Sequence, residues 1–255
     1  MTSYEEEFQN FMPSIRFLTG IGLFGKRIQV KGKQNIISEG GNIIVGNHIG
    51  AFQDVATLLR TIPRPIFFTA NYELFDKEEF NELIRRHLKR HMKNLGLGIY
   101  YLLHPIKVML VNFVTNNIGR VGTIPVDLAH QKRLAIQKCQ EYVAKGRAII
   151  ALQGHGRIMK NDPFPHVHPF RQGVSIISYN LYKEKGIKVP ITPVALYGTQ
   201  RPMFIPGRVH IKIGEPMFVT DYLSKDEKMT FKKFTEAMEK RVIDMVKELM
   251  GTSNS

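Results

Sequence analysis

The sequence contains a single cysteine, few acidic residues and no long uninterrupted apolar segment. Cys139 has no internal disulfide partner, which indicates a reducing, cytoplasmic setting. Its helical surroundings, without an identifiable histidine partner, favour a small buried residue over a nucleophile. The most apolar segment, 94–119, is interrupted by His104, Pro105 and Lys107. It is therefore not expected to cross a bilayer, which takes about 18 consecutive apolar residues.

The shortage of acidic residues gives the chain a strong positive charge. It has 36 Lys and Arg against 22 Asp and Glu, a formal net charge of +14. This excess attracts polyanions, but it does not choose between nucleic acid, an anionic lipid surface and a phosphorylated substrate. The first residues, MTSYEEEF, are acidic where a secretory signal would be basic, so secretion is not expected.

Short β-rich segments alternate with longer helical patterns along the chain. Strands are predicted at 27–32, 42–47, 65–70, 123–126, 147–152, 191–198 and 209–214. Helices are predicted from 54, at 75–94, near 130–145, at 173–185 and after a capping box at 224–227. The alternation predicts an α/β fold with a mostly parallel central sheet flanked by helices. Without a repeat or a low-complexity linker, we predict one domain over 27–255 after an amphipathic segment over 1–26.

The stretch VGNHIGAFQD (45–54) brings a histidine to the end of a strand that is apolar on both faces. His48 would enter the crevice where α/β sheets place their sites, and its imidazole can accept a proton near neutral pH. Asp54 can hold the other ring nitrogen if the loop through Gly50 and Ala51 folds back. On these residues alone, the alternative is that Asn-His caps a turn and Asp54 is a helix N-cap.

The same stretch resembles the Asn-His…Asp motif of the glycerolipid acyltransferases, the family of glycerol-3-phosphate and 1-acylglycerol-3-phosphate acyltransferases. Further segments follow in that family's order: FFTANYELF (67–75), GRVGTIPVD (119–127), ALQGHGR (151–157), PFRQGVSIIS (169–178), VPITPVALYG (189–198) and VHIKIGEPM (209–217). The resemblance spans roughly residues 27–218. It implies the glycerolipid-acyltransferase-like form of the α/β fold.

The resemblance also implies an activity. It is the transfer of a fatty acyl group from acyl-CoA or acyl-carrier protein to a hydroxyl of a glycerophosphate or lysophospholipid acceptor, in phospholipid biosynthesis or remodelling. His48 would be the general base and Asp54 the residue that orients it. No acyl-enzyme, metal or other cofactor is expected, because the acyl thioester is itself a substrate.

The acceptor phosphate is expected to bind at the loop QGHGR, residues 153–157. The resemblance implies Arg157 as the guanidinium that grips the phosphate. Gly154 and Gly156 would let backbone N–H groups approach the anion. His155 would add a second cation. Residues expected to support the site are Asn47, Gln153, Arg171 and Arg120.

The chain departs from the family's pattern in spacing and in charge. His48 and Asp54 enclose five residues where four are usual, and the extra one rotates Asp54 by about 100° on a helix, which the Gly50 loop must absorb. The phosphate loop lacks the family's Pro-Glu, and Gln153 stands as a neutral replacement. These differences indicate an unusual acceptor or a divergent subfamily.

Two cations of the family's pattern are also absent. Asn71 stands where a lysine is common, and Leu128 follows Asp127 where an arginine is usual. Asp127 itself is interpreted as structural. The possible replacements are Lys132, Arg133, Arg171 and Arg120.

The connection between FFTANYELF and GRVGTIPVD is longer than in the family. This extra length defines a helical insert over 76–118. It joins the basic IRRHLKRHMKN to an apolar segment. This composition suits the headgroup boundary of an anionic membrane, or else a core helix with a charged face. A second contact, again with a core alternative, is expected from Phe8, Phe11, Met12, Ile15 and Leu18. We therefore expect a cytoplasmic protein, peripheral on the inner face of the cell membrane.

The competing hypothesis is a non-catalytic basic protein that binds anionic membrane or nucleic acid. It explains the net charge but not the strand-end His48 or the ordered segments. Because the basic residues are scattered and lack aromatic platforms, we expect no nucleic-acid partner. His166-Val167-His168 has no clear carboxylate or cysteine partner, which is too little for a metal site.

Overall fold

The predicted alternation of strands and helices is present in the structure, a computed structural model. It describes residues 9, 12–13, 15–17, 19–20, 22–71, 73, 75–86, 101–102, 104–117, 123–126, 132–202 and 205–253. The chain forms two compact units. The larger comprises Met12–Ile66 and Ile136–Ser255, and the smaller Met1–Phe11 and Phe67–Ala135.

The regular elements fall close to the ranges that the sequence predicts. The strands are β1 (Lys26–Lys31), β2 (Asn42–His48), β3 (Ile66–Asn71), β4 (Thr123–Val126), β5 (Ala148–Gly154), β6 (Ile191–Tyr197) and β7 (Gly207–Ile213). The helices are α1 (Phe52–Thr61), α2 (His104–Asn117), α3 (Lys132–Ala144), α4 (Gly173–Lys185) and α5 (Glu227–Ser253).

The sheet of the larger unit is mostly parallel. Its strands lie in the order β1, β7, β6, β2, β5. The pairs β1–β7, β6–β2 and β2–β5 are parallel, and only β6–β7 is antiparallel. Parallel neighbours place their carboxyl ends at one edge, so β2 and β5 deliver their following loops side by side. The predicted α/β class is confirmed.

The central strands β2 and β6 are buried along almost their whole length, as their continuous apolar sequences predict. Helix α5 packs on β6. Its apolar stripe begins at the half-buried Phe231, and the other residues, spaced three or four apart, are buried: Phe234, Met238, Val242, Val246 and Leu249. Each such side chain stabilises the fold by about 2 kcal/mol relative to exposure. The site therefore stands on a sheet covered on both faces.

The cap of α5 differs from the predicted capping box. The carboxylate of Asp226 accepts the N–H of Lys228, and the backbone carbonyl of Asp226 accepts the N–H of Thr230. Glu227 instead pairs with Lys183 and the hydroxyl of Tyr179 on α4. The predicted box was wrong because a tertiary ion pair takes the glutamate that the local pattern assigns to the cap.

In the smaller unit, β3 and β4 pair in parallel, with Phe68 opposite Thr123. The predicted helix at 75–94 is helical over 77–86, where Asp76 caps it by accepting the N–H groups of Glu78 and Glu79. Its remainder, 87–94, lies outside the described residues. Within the described ranges, no helix is long and apolar enough to cross a membrane.

The N-terminal helical residues contact α1. Arg60 on α1 donates to the carbonyl of Arg16 and to the hydroxyl of Thr19. Ile15 is 2% exposed, so its predicted bilayer contact is wrong and its core alternative is right. Met12 is half-buried. Phe8, Phe11 and Leu18, the other residues of that prediction, lie outside the described residues.

Candidate functional site

The site is built where β2 and β5 end. These strands pair in register, so His48, the last residue of β2, lies opposite Gly154, the last residue of β5. A Cβ on Gly154 would lie 2.6 Å from the carbonyl oxygen of His48, and the glycine has a φ of 137°. Glycine is therefore required for the close approach. The register brings together two motifs that lie far apart in the sequence.

The predicted pair of His48 and Asp54 forms directly. Nδ1 of His48 lies 2.8 Å from Oδ2 of Asp54. The same oxygen accepts the N–H groups of Ile49 at 2.8 Å and Gly50 at 2.7 Å. The Asp54 side chain is fully buried, whereas that of His48 is 26% exposed. These three contacts fix the carboxylate against one ring nitrogen, while the ring keeps access to solvent.

The extra residue between His48 and Asp54 is accommodated by Ala51. This residue has a φ of 46° and precedes the first turn of α1, in which Asp54 is the third residue. Asp54 is therefore not the N-cap, and the turn-capping alternative is wrong. A non-glycine residue at positive φ costs roughly 1–3 kcal/mol. The sequence assigned this adjustment to Gly50.

Gly50 has a different role. A Cβ on Gly50 would collide with the Cβ and carbonyl of buried Thr199, so the glycine permits close packing of the loop. The glycine beside the imidazole is Gly156, where a Cβ would be 3.1 Å from Nε2 of His48 and 3.1 Å from Cα of Ala51. A side chain at position 156 would therefore crowd the second ring nitrogen.

Two amides anchor the loops on either side. Asn47, predicted as a supporting residue, is fully buried and exchanges two hydrogen bonds with the backbone of Leu196 in β6. Gln53, which sequence reasoning missed, donates to the carbonyl of Arg201 at 2.8 Å. Asn47 therefore fixes the strand end behind His48 and does not face the site. Gln53 is detectable from sequence only as an unexplained polar residue near a helix start.

The loop after β5 exposes its predicted cations. Arg157 and His155 are both exposed, and among the described residues Arg157 has no acidic partner. Gln153 accepts the N–H of Arg171 and donates to the carbonyl of Ala151, so it braces the loop. The Arg171 side chain is exposed. A guanidinium without an internal carboxylate is available to an anionic ligand.

The prediction that the N–H of Gly156 donates to the anion is wrong. Its N–H donates to the carbonyl of His48 at 3.1 Å, and its φ is 70°. This bond turns the loop back over the end of β2. The contribution of Gly156 is therefore steric, since it shapes the space beside the His48 ring.

His155 also belongs to a small polar cluster that the sequence did not predict. Its ring contacts that of His168 edge-on, with centroids 4.7 Å apart, and Nε2 of His168 lies 3.1 Å from Oδ1 of Asp162. Burial raises the pKa of Asp162, but the N–H of Met159 and the two imidazoles outweigh it, so this pKa lies below its ordinary value. The cluster holds His155 beside Arg157.

The remaining positions discussed for the site lie on β3, on α3 or outside the described residues. Arg120, Asp127 and Leu128 lie outside the described residues. Asn71 ends β3, and Arg133 is exposed on α3, which Lys132 begins. Across the described ranges, no three His, Cys, Asp or Glu side chains are arranged to hold a metal ion.

Comparison with known proteins supports the fold. No family model matches the chain, and no curated protein matches it. Among solved structures, the chain is similar to the 1-acyl-sn-glycerophosphate (LPA) acyltransferase PlsC from Thermotoga maritima. The TM-score is 0.56 at 21% identity, over 98% of this chain and 84% of that one. At this identity the similarity concerns the fold alone, and the chain shares the α/β fold of that structure.

Proposed function

We propose that the protein is an O-acyltransferase that moves a fatty acyl group from an acyl thioester to a hydroxyl of a glycerophosphate or lysophospholipid acceptor. The observation that carries the proposal is the fixed His48–Asp54 pair. Asp54 holds Nδ1 of His48 at 2.8 Å, Nε2 lies beside Gly156, and the His48 side chain is 26% exposed. A base that is fixed at one ring nitrogen and still partly exposed is what deprotonation of an incoming hydroxyl requires.

The proposed reaction proceeds without an acyl-enzyme. Nε2 of His48 takes the proton of the acceptor hydroxyl while the hydroxyl oxygen bonds to the thioester carbonyl carbon. Collapse of the tetrahedral intermediate breaks the carbon–sulfur bond and forms the ester. The departing thiolate, from CoA or acyl-carrier protein, takes the proton back from His48. The buried carboxylate of Asp54 stabilises the imidazolium between the two steps.

Arg157 and His155 are proposed to bind the phosphate of the acceptor. Gly156 N–H bonds to the His48 carbonyl, which places the backbone of the cation-bearing loop against the catalytic residue. A planar guanidinium matches two phosphate oxygens, and an exposed imidazole adds a third donor. The acceptor is thus proposed to lie with its phosphate at the loop after β5 and its hydroxyl at the end of β2. We further propose a cytoplasmic location on the inner face of the cell membrane.

The test is acyl transfer by the purified chain. Acyl-CoA and acyl-carrier protein are each offered with glycerol 3-phosphate, lysophosphatidate and other lysophospholipids. His48→Ala is expected to lower kcat about 10²–10⁴-fold. The matched control is His104→Ala, since His104 is exposed at the start of α2. Full turnover in His48→Ala would overturn the mechanism, and salt-sensitive nucleic-acid binding without any transfer would favour the non-catalytic alternative.

A further inference from the structure

The loop after β5 contains a second carboxylate beside a histidine, which the proposed reaction does not use. Oδ1 of Asp162 lies 3.1 Å from Nε2 of His168. The ring of His168 meets that of His155 edge-on, with centroids 4.7 Å apart and planes 75° apart. A continuous path of contacts therefore runs from a carboxylate through one imidazole to another, and the second imidazole belongs to the residue two positions before Arg157.

Asp162 also closes a turn in this loop. Its Oδ2 accepts the N–H of Met159 at 2.8 Å, and its own N–H donates to the carbonyl of Met159 at 3.1 Å. Burial opposes ionisation of Asp162, but the N–H of Met159 and the two imidazoles keep its pKa below the ordinary value, so the group is ionised at neutral pH. One oxygen thus fixes the turn, and the other is left for His168.

A negative charge at this position conflicts with the binding of an anion. Asp162 is five residues from Arg157, and its charge opposes the approach of the phosphate that the loop is proposed to bind. The charge can nevertheless assist binding by acting on a histidine, because a carboxylate fixes the orientation of an imidazole. The contact between Asp162 and His168 provides this, and the edge-on contact extends it to His155, since such ring pairs have a preferred geometry.

We propose that Asp162 and His168 are positioning residues that orient the His155 imidazole toward the phosphate bound by Arg157. His155 is exposed and has one face or edge against His168, so its remaining surface is available to a ligand. Asp162 acts on it only through His168, just as Asp54 acts on the acceptor only through His48. The inference rests on the proposed function for the identity of the anion, and it adds the residues that prepare its site.

The base of the loop is fixed by other contacts. The N–H of Arg171 donates to the side chain of Gln153, and the N–H of Phe170 donates to the carboxylate of Glu239 on α5. These bonds do not involve Asp162 or the imidazoles. Replacing Asp162 should therefore leave the ends of the loop in place and change mainly the orientation of His155.

Binding of glycerol 3-phosphate to the full chain, measured by isothermal titration calorimetry, gives a readout that is independent of acyl transfer. By charge alone, Asp162→Asn should strengthen binding, because it removes a negative charge from an anion-binding loop. We expect the opposite, binding that is about fivefold weaker, because His155 loses its fixed orientation. Asp221→Asn removes an exposed carboxylate outside the loop and is the matched control, with little effect expected.

A double variant separates positioning from support of the fold. His155→Ala is expected to weaken binding about tenfold, and adding Asp162→Asn to it should cause no further loss, since both changes remove the same contact with phosphate. The melting temperatures of all variants are measured beside the affinities. In the transfer assay, Asp162→Asn should raise acceptor KM about fivefold while kcat and thioester KM stay constant.

The outcomes distinguish this inference from the proposed function. Unchanged or stronger binding in Asp162→Asn would overturn the inference, and so would the absence of glycerol 3-phosphate binding by the unchanged protein. An equal loss in the His155→Ala background would also overturn it, because Asp162 would then act only on the fold of the loop. A coupled loss of binding in a protein that transfers no acyl groups would support the inference and overturn only the proposed function.

Discussion

The loops that follow β2 and β5 use their polar groups in opposite ways. After β2, one buried oxygen of Asp54 lies within hydrogen-bond distance of the His48 ring and of two backbone N–H groups. After β5, Arg157 and His155 are exposed. Proton transfer needs a base fixed in one orientation, whereas capture of a charged ligand benefits from reach. In the proposed function, the rigid side transfers the proton and the open side binds the anion.

The largest effect is expected from Asp54→Asn, on the rigid side of the site. The amide oxygen can still accept the N–H groups of Ile49 and Gly50, so the loop should fold, but the charge that stabilises the His48 imidazolium is lost. We expect kcat to fall about 10²–10⁴-fold with little change in acceptor KM. Steady-state kinetics and the melting temperature test this together. A kcat close to that of the unchanged protein would show that Asp54 does not support the base.

A second, smaller effect is expected on the open side. Arg157→Gln should raise acceptor KM about tenfold or more while thioester KM stays constant, because a charge-assisted contact to phosphate is lost. The acceptor KM of Arg157→Lys should lie between those of Arg157→Gln and the unchanged protein, since lysine keeps the charge but lacks the planar fork. Arg27→Gln, at an exposed position on β1, is the matched control for charge. Equal increases in both KM values would contradict a phosphate-binding role.

The smallest effect on activity is expected at Cys139, which belongs to neither loop. It is buried on α3, and desolvation raises its pKa from 9.0 to about 11. As pH rises through this window, the unfolded chain loses a thiol proton that the folded protein keeps, so stability falls. Relative to Cys139→Ala, we expect the unchanged protein to lose about 2 kcal/mol of unfolding free energy. Denaturant titrations across the window measure this, and parallel curves would contradict it.

The strands were predictable because their sequence signals are local. The His48–Asp54 pair was predictable because its stretch resembles a known motif. β4 and α4 begin and end at the predicted residues. A short β-rich run defines β4, and a sharp turn at Gly186 ends α4. That His48 and Asp54 must lie within hydrogen-bond distance of each other was also predictable, because a histidine base needs an acceptor at one ring nitrogen. The predicted roles of both residues stay predictions until turnover is measured.

Contacts between distant segments were not predictable. Gly50 and Gly156 look alike in sequence, yet one makes room for Thr199 and the other for the ring of His48. The outward position of Phe17 and inward position of Ile15 depend on where α1 lies against the N-terminal residues. Likewise, His155 and Asp162 are joined through His168 by the path of a loop that no periodicity encodes.

The in-register alignment of β2 with β5 has an evolutionary consequence. Deleting one residue inside β5 would shift the segment bearing Arg157 by about 3.3 Å along the sheet and reverse which face each following side chain occupies. A loop between α1 and β5 is under no such constraint, because its length leaves the alignment of His48 with Gly154 unchanged. Lineages can therefore diversify by lengthening that intervening stretch, while single-residue insertions or deletions within either strand should be eliminated.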